Sequence, residues 1–236
     1  ATDTAGNEAT TSVTISVNNG GASGSVNWVD GAVPAGATSG GSGGDGWNWV
    51  TADPAPFSAT RVHQSNIAAG FHEHFFTYAT ATLRLFTGDS LFAYVYLDPA
   101  NPPQEIMLSW NDGHWEHRAY WGANLIAYGT ENTNGRRYIG PLPATGQWVR
   151  LEVPAALVGL EGSTLQGMSF TLFGGRATWD VAGKSASTGD VTAPAVALTS
   201  PANGAPVERT ITLTATASDN VGVSAVEFLV DGVAVG

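Results

Sequence analysis

Apolar and polar residues alternate in short runs along most of this chain, and the repeat is two. In residues 91–97, Leu91, Ala93, Val95 and Leu97 alternate with Phe92, Tyr94 and Tyr96, the period of a strand with one buried face. Val13, Ile15 and Val17 alternate in the same way with Ser12, Thr14 and Ser16, and Ile211, Leu213, Ala215 and Ala217 with threonine and serine. Further strands are predicted over 71–77, 82–86, 105–111, 114–121, 148–153, 168–173, 177–180 and 226–230. Gly88-Asp89, Asp112-Gly113 and Asp231-Gly232 are placed to turn the chain between them,. Only residues 157–160 have the makings of a helical turn. Many short strands without βαβ spacing predict an all-β fold, an antiparallel β-sandwich. A jelly roll suits the length, and a lectin-like sandwich of different topology is the rival.

Composition shifts divide the chain. Residues 1–18 read as a turn and a closing strand, and the Asn-, Gly- and Ser-rich stretch 19–25 as a flexible linker,. Residues 26–188 hold all eight tryptophans and all five histidines. Residues 189–236 form a second strand-rich piece punctuated by Pro194 and Pro201. The motifs TDTAGN near the start and TSPANG, TATASDNVGVS and VEFLVDG near the end resemble bacterial immunoglobulin-like repeats. The resemblance implies closing strands of one repeat at the start and opening strands of another at the end, with the central module between two repeats of a longer surface protein. Each piece alone would leave an unpaired edge, so the two are expected to pair with each other or with a neighbouring molecule.

The net charge is −11 with a single lysine, Lys184. A nucleic-acid partner requires clustered basic side chains against phosphate, so that class is excluded, and an anionic membrane surface would repel the chain. No apolar run approaches the length of a membrane span. There is no cysteine, which removes disulfides and thiol chemistry and is compatible with export. The first residues lack the pattern of a signal peptide and begin in mid-strand, as expected of a piece of a longer chain.

The densest chemistry lies around Asp112-Gly113. A two-residue turn would set Asn111 opposite His114, Trp110 opposite Trp115, Ser109 opposite Glu116 and Met107 opposite Arg118. One face would then carry Trp110, Trp115, His117 and Trp121, and the other Ser109, Asn111, His114, Glu116, Arg118 and Tyr120. Aromatic rings for the C–H faces of sugars and planar groups for their hydroxyls are what glycan recognition needs. Tyr94 and Tyr96 would extend the platform. The same tryptophans could instead fill the core.

His72 and His74 share a strand face with His63 upstream, a sugar-contacting pair, a satisfied structural pair or, with a third ligand, a zinc or copper site. Arg136-Arg137 could clamp an acidic sugar or make local ion pairs. The motifs GWNWV, FHEHFF, YVYLDPANPP, GPLPATGQWVRLEVP and FGGRATWD resemble non-catalytic jelly-roll carbohydrate-binding modules of extracellular bacterial proteins. That resemblance implies polysaccharide binding and a structural calcium at Asp180 with Asp30, Asp45 or Asp53. The alternatives are a polysaccharide lyase, with Arg118 neutralising a uronate beside a His117 or Tyr120 base, and a structural spacer.

Overall fold

The computed structural model of the chain describes residues 13–19, 25–186, 193–206, 210–219 and 223–235. These divide into two compact units, one spanning the central stretch and one gathering the described residues of both ends. In chain order the strands are β1 (Val13–Asn19), β2 (Val26–Val29), β3 (Thr38–Ser42), β4 (Asn48–Val50), β5 (Val62–Gln64), β6 (Ala68–Thr77), β7 (Leu83–Arg84), β8 (Ser90–Leu97), β9 (Glu105–Asn111) and β10 (His117–Gly122). They continue with β11 (Arg137–Gly140), β12 (Trp148–Pro154), β13 (Thr164–Leu165), β14 (Gly167–Gly175), β15 (Ala177–Ser185), β16 (Ala195–Ser200), β17 (Thr214–Ser218), β18 (Val223–Val230) and β19 (Val233–Val235). A short 3₁₀ turn at Ala155–Val158 lies just before the expected helical turn and overlaps it.

The central unit is a β-sandwich. One sheet runs β11-β10-β9-β14-β6-β3 and the other β12-β8-β15-β5-β4, with β2 also pairing β15. From β8 to β9 and through β12, β14 and β15 the chain crosses repeatedly between sheets, the connection pattern of a jelly roll,. All ladders between its strands are antiparallel except the short β10–β11 ladder. The alternation read from the sequence sets the layers. Leu91, Ala93, Val95 and Leu97 of β8 and Ile106, Leu108 and Trp110 of β9 point inward, where they meet Met168, Phe170 and Leu172 of β14. Each large apolar side chain buried there contributes ~1.5–3 kcal/mol.

The chain's one lysine is not a surface charge. Lys184 Nζ sits 2.9 Å from Asp89 Oδ2 with both side chains buried, and the same carboxylate oxygen accepts the Phe86 N–H.

In the other unit β1 pairs antiparallel with β18, Val13 opposite Val230 and Ile15 opposite Phe228. Strand β18 continues into β19 through Asp231 and Gly232, both at positive φ as a tight hairpin turn requires,. Strands β16 and β17 form a separate two-stranded ladder. The expected turn at 3–7 and most of the linker lie outside the described residues.

Candidate functional site

The outer face of the β11-β10-β9-β14-β6-β3 sheet carries a groove of about 300 Å³ lined by Glu73, Phe75, Ser109, Trp115, Arg118, Tyr128 and Ser169. Period-two alternation places most of these residues. On β6 the residues His72, His74 and Phe76 face the core, which turns Glu73 and Phe75 outward,. On β9 and β14 the same rule turns the buried Ser109 and Ser169 to this face beside them, in register with Arg118 and Phe75.

Glu73 is the polar centre. Its Oε2 accepts hydrogen bonds from Ser169 Oγ at 2.9 Å and Thr171 Oγ1 at 3.1 Å, and the Tyr128 hydroxyl donates to Oε1 at 3.4 Å. Arg118 is buried, donates to both oxygens of Glu116 at 3.2 and 3.3 Å and to the Gly135 carbonyl at 3.0 Å, and lies 5.3 Å over the Tyr128 ring. Its hydrogen bonds and charge hold the Glu116 carboxyl below the usual range. Burial and the neighbouring Glu73 push the Tyr128 hydroxyl up.

Three rings rim this floor. Trp115 meets Phe75 edge-to-face at 6.2 Å, and Tyr128 meets Phe71 edge-to-face at 5.3 Å. The Phe75 ring lies over the backbone of Gly40, its partner on β3, where a Cβ would come 2.6 Å from the ring. The connection that presents Tyr128 is tied down by acceptors beneath it. Glu105 Oε2 takes the N–H groups of Leu125 and Ile126 at 2.5 and 2.8 Å. Glu131 takes the Tyr120 hydroxyl at 3.0 Å and the Asn124 amide at 2.7 Å.

The hairpin differs from its expected register. Strands β9 and β10 close at Trp110 opposite His117, with Ser109 opposite Arg118, a register shifted by two that leaves residues 111–116 as the connection in place of Asp112-Gly113 alone. The cause is local hydrogen bonding. Asn111 Oδ1 accepts the Gly113 N–H at 2.9 Å, and its carbonyl accepts from Gln166 at 2.8 Å. Asp112 is held by Ser163 at 2.9 Å and lies 3.3 Å from His117 Nε2. A shift of two keeps strand residues on their expected faces. It also releases Trp115 from the strand, so that it joins Arg118 on the groove side and not Trp110 on the core side.

Several expected ligand contacts are corrected. Trp110 and Trp121 are core residues, 1% and 6% exposed. Tyr120 is buried with its hydroxyl tied to Glu131, and burial and that carboxylate push its pKa to about 12. His117 tethers the connection, its Nδ1 2.7 Å from the Val158 carbonyl, while His114 is exposed on it. Tyr94 and Tyr96 lie on the outer face of the other sheet and do not extend this platform. Arg136 and Arg137 donate to the carbonyls of Ile126 and Leu157 at 2.9 and 3.3 Å.

The histidines form a buried chain. His63 Nδ1 and His74 Nε2 are 2.8 Å apart, and Asp45 Oδ2 lies 3.1 Å from His74 Nδ1 and 3.3 Å from His72 Nδ1. Rings buried in this way lie out of reach of a sugar, His63 Nε2 is left buried without a partner, and among the described residues no group of three His, Asp or Glu is arranged to hold a metal. Burial opposes ionisation of Asp45, yet hydrogen bonds from His72 and His74 hold it well below the carboxylate range. Burial, then the charge of His74, drives His63 well below the ordinary histidine value. Asp45 is thereby taken and is no partner for Asp180. Asp180 gives Oδ2 to the N–H groups of Phe57 and Ser58 at 2.7 and 2.8 Å. Its Oδ1 is buried without a partner, and burial, with Asp30 nearby, raises its pKa. Asp53 carries a positive φ in the same loop.

Glu73, Phe75 and Tyr128 were not singled out from the sequence. The alternation of FHEHFF held the signal for the first two, since inward histidines imply an outward Glu73 and Phe75. Tyr128 sits in a strandless connection that no periodicity marks.

Comparison with known proteins adds the following. A family model for a bacterial Ig domain matches residues 194–236, well under half of the chain. No curated protein matches. Among solved structures, the chain is similar to the glycoside hydrolase domain of Endo-D from Streptococcus pneumoniae at 10% identity and TM-score 0.41, over 69% of this chain and 24% of that one. It is similar to a carbohydrate-binding module of the β-sandwich superfamily at 12% identity and TM-score 0.41, over 69% of this chain and 63% of that one. It is also similar to the CBM22-1 xylan-binding domain of Paenibacillus barcinonensis Xyn10C at 12% identity and TM-score 0.39, over 72% of this chain and 99% of that one. The match thus spans about a quarter of the first structure and under two thirds of the second. Similarity at this level leaves the ligand and its chemistry to be argued from the groove.

Proposed function

We propose that the central module is a non-catalytic carbohydrate-binding module that takes a polysaccharide or oligosaccharide into the groove on the β11-β10-β9-β14-β6-β3 sheet. One observation carries the reading: Phe75, Trp115 and Tyr128 surround a floor of Glu73, Ser109, Ser169 and Arg118. Rings of this kind stack against the C–H faces of a pyranose, and the floor supplies acceptors and donors for its hydroxyls. The volume lies at the lower end of the ~300–1,000 Å³ of ligand pockets, fitting a short stretch of glycan. The polar groups are mutually paired, so the ligand is an uncharged sugar whose hydroxyls share these bonds.

Catalysis is disfavoured by the same contacts. A lyase would need a free base beside Arg118, and Tyr120 is tied to Glu131 with its pKa pushed to about 12. The setting we propose is extracellular, within a longer bacterial protein whose other domains share the task. The bacterial Ig match at residues 194–236 supports that placement. Structural calcium belongs to the same proposal. The orphaned Asp180 Oδ1 with Asp30 near enough to raise its pKa suits a hard cation,, and backbone carbonyls would complete the shell.

The test is electrophoresis through native gels containing neutral and acidic polysaccharides, wild type beside Trp115→Ala and Glu73→Gln. Retardation by a neutral glycan, weakened in both variants and without product release, is the expected result. No retardation by any glycan, or shortening of the polymer, would overturn the proposal.

A further inference from the structure

Tyr94 and Tyr96 are displaced from the groove, but they are not isolated. They project from β8 on the outer face of the opposite sheet, where Trp148 stands directly across from Tyr96 and Arg150 across from Tyr94. The Trp148 and Tyr96 rings meet at 5.8 Å. Above them Phe57 stacks on Tyr94 at 3.9 Å and 20°, with its centroid 6.4 Å from that of Trp148.

Phe57 belongs to a strandless loop and remains 49% exposed. Half of its apolar surface thus stays in water, yet specific contacts hold it there. Both N–H groups at its base are fixed by the buried carboxylate of Asp180, at 2.7 and 2.8 Å. Trp148 Nε1 donates to the Ala55 carbonyl of the same loop at 3.0 Å. The rim is electrically closed, because Arg150 and Glu152 pair with each other at 3.3 Å.

We infer that Phe57, Tyr94, Tyr96 and Trp148 form a second glycan-stacking surface on the face opposite the groove, making the module bivalent for neutral sugar chains. The occupant follows from the chemistry. A protein partner would call for a broad aliphatic patch or a complementary charge, and this surface offers rings at sugar-chain spacings with a self-neutralised rim. Beneath them Thr178 and Gln64 continue the cross-strand row from Tyr96 and are bonded to each other, Gln64 Nε2 donating to Thr178 Oγ1 at 2.8 Å. Two opposed faces that each hold a chain weakly gain avidity on a dense glycan without any tighter contact. This inference rests on the carbohydrate reading of the module but not on the groove residues.

The experiment is isothermal titration with two probes of defined length, xylohexaose and cellohexaose. The proteins are wild type, Phe57→Ala, Phe57→Tyr, Trp115→Ala and the Phe57→Ala/Trp115→Ala double variant, each checked for an unchanged melting transition. Two sites per chain are expected in wild type and Phe57→Tyr, one in each alanine variant and none in the double variant. Unchanged stoichiometry in Phe57→Ala with complete loss in Trp115→Ala would overturn the second surface and leave the groove standing. Loss in Phe57→Ala with no change in Trp115→Ala would overturn the groove and keep this surface.

Discussion

Replacing Trp110 and Trp115 separately with alanine gives two opposite outcomes from residues five positions apart. Trp110 is fully buried against the inner faces of both sheets. Its truncation removes a core indole and leaves a cavity, at a cost of about 3–5 kcal/mol. With ~2–4 °C per kcal/mol for a domain of this size, the central unit should melt roughly 6–20 °C lower. Trp115 is only half-buried, on the wide connection beside Phe75. Its truncation should move stability by no more than about 1 kcal/mol. In the proposed complex it loses a stacked ring worth about 1–2 kcal/mol, or roughly 5–30-fold in affinity. Differential scanning calorimetry and affinity gels read the two quantities independently. If Trp115→Ala melts as low as Trp110→Ala and keeps its glycan, the tight hairpin with Trp115 in the core is right and the groove assignment is wrong.

Three further outcomes follow from the same contacts. Lys184→Met removes the cation paired with the buried Asp89 carboxylate and should cost about 3–5 kcal/mol in denaturant unfolding, most of it restored by adding Asp89→Asn; a mild single variant would mean that the pair contributes little to stability. His63 is buried with its folded pKa driven below the ordinary ~6.5, so the unfolded chain takes up its proton first,. Stability from this group is therefore complete above about pH 6.5 and falls as pH drops toward the folded value. A melting temperature that is flat from pH 8 to pH 5, or equally steep in His63→Phe, would remove His63 as the cause. Gly40→Val should lift the Phe75 ring into the groove, weakening glycan retention while the melting point moves far less than for Trp110→Ala; crystal soaking or affinity gels would show it.

The long alternating strands were legible in the sequence because burial dictates their pattern. Residues 91–97, 105–111, 148–153 and 168–173 fall within β8, β9, β12 and β14. The short strands β3, β4 and β11 were not legible. Thr38–Ser42 reads TSGGS and carries no apolar alternation, since its place at the sheet edge comes from Phe75 needing a bare backbone to lie on. The site was half legible. Arg118, Glu116 and Trp115 are adjacent in sequence and could be grouped, while Tyr128 arrives through a connection anchored by Glu105 and Glu131, and nothing local announces such anchors. The turn was misjudged for a related reason. Asp112-Gly113 favours a two-residue hairpin, but Asn111, Ser163 and His117 bind the turn's own polar groups and hold it open.

That widened turn explains why the sheet presents a groove at all. A tight hairpin would carry alternating residues to its tip and present Arg118 and Glu116 as a solvated pair on a flat surface. Shifting the register by two, which widens the connection to residues 111–116, lets Trp115 fold over Phe75, while the connection carrying Tyr128 closes the other side against Arg118. Arg118 is consumed in the process, with its donors turned to Glu116 and Gly135. Glu73 is likewise engaged by Ser169 and Thr171. A groove whose charges are already answered has little to offer an ionic ligand and little freedom to move a proton. It retains exposed ring area and hydrogen-bonding atoms with spare lone pairs, which suit many weak contacts to sugar hydroxyls. Weak, reversible attachment is useful when several such surfaces act along one polymer, and the proposed second face would provide that within a single module.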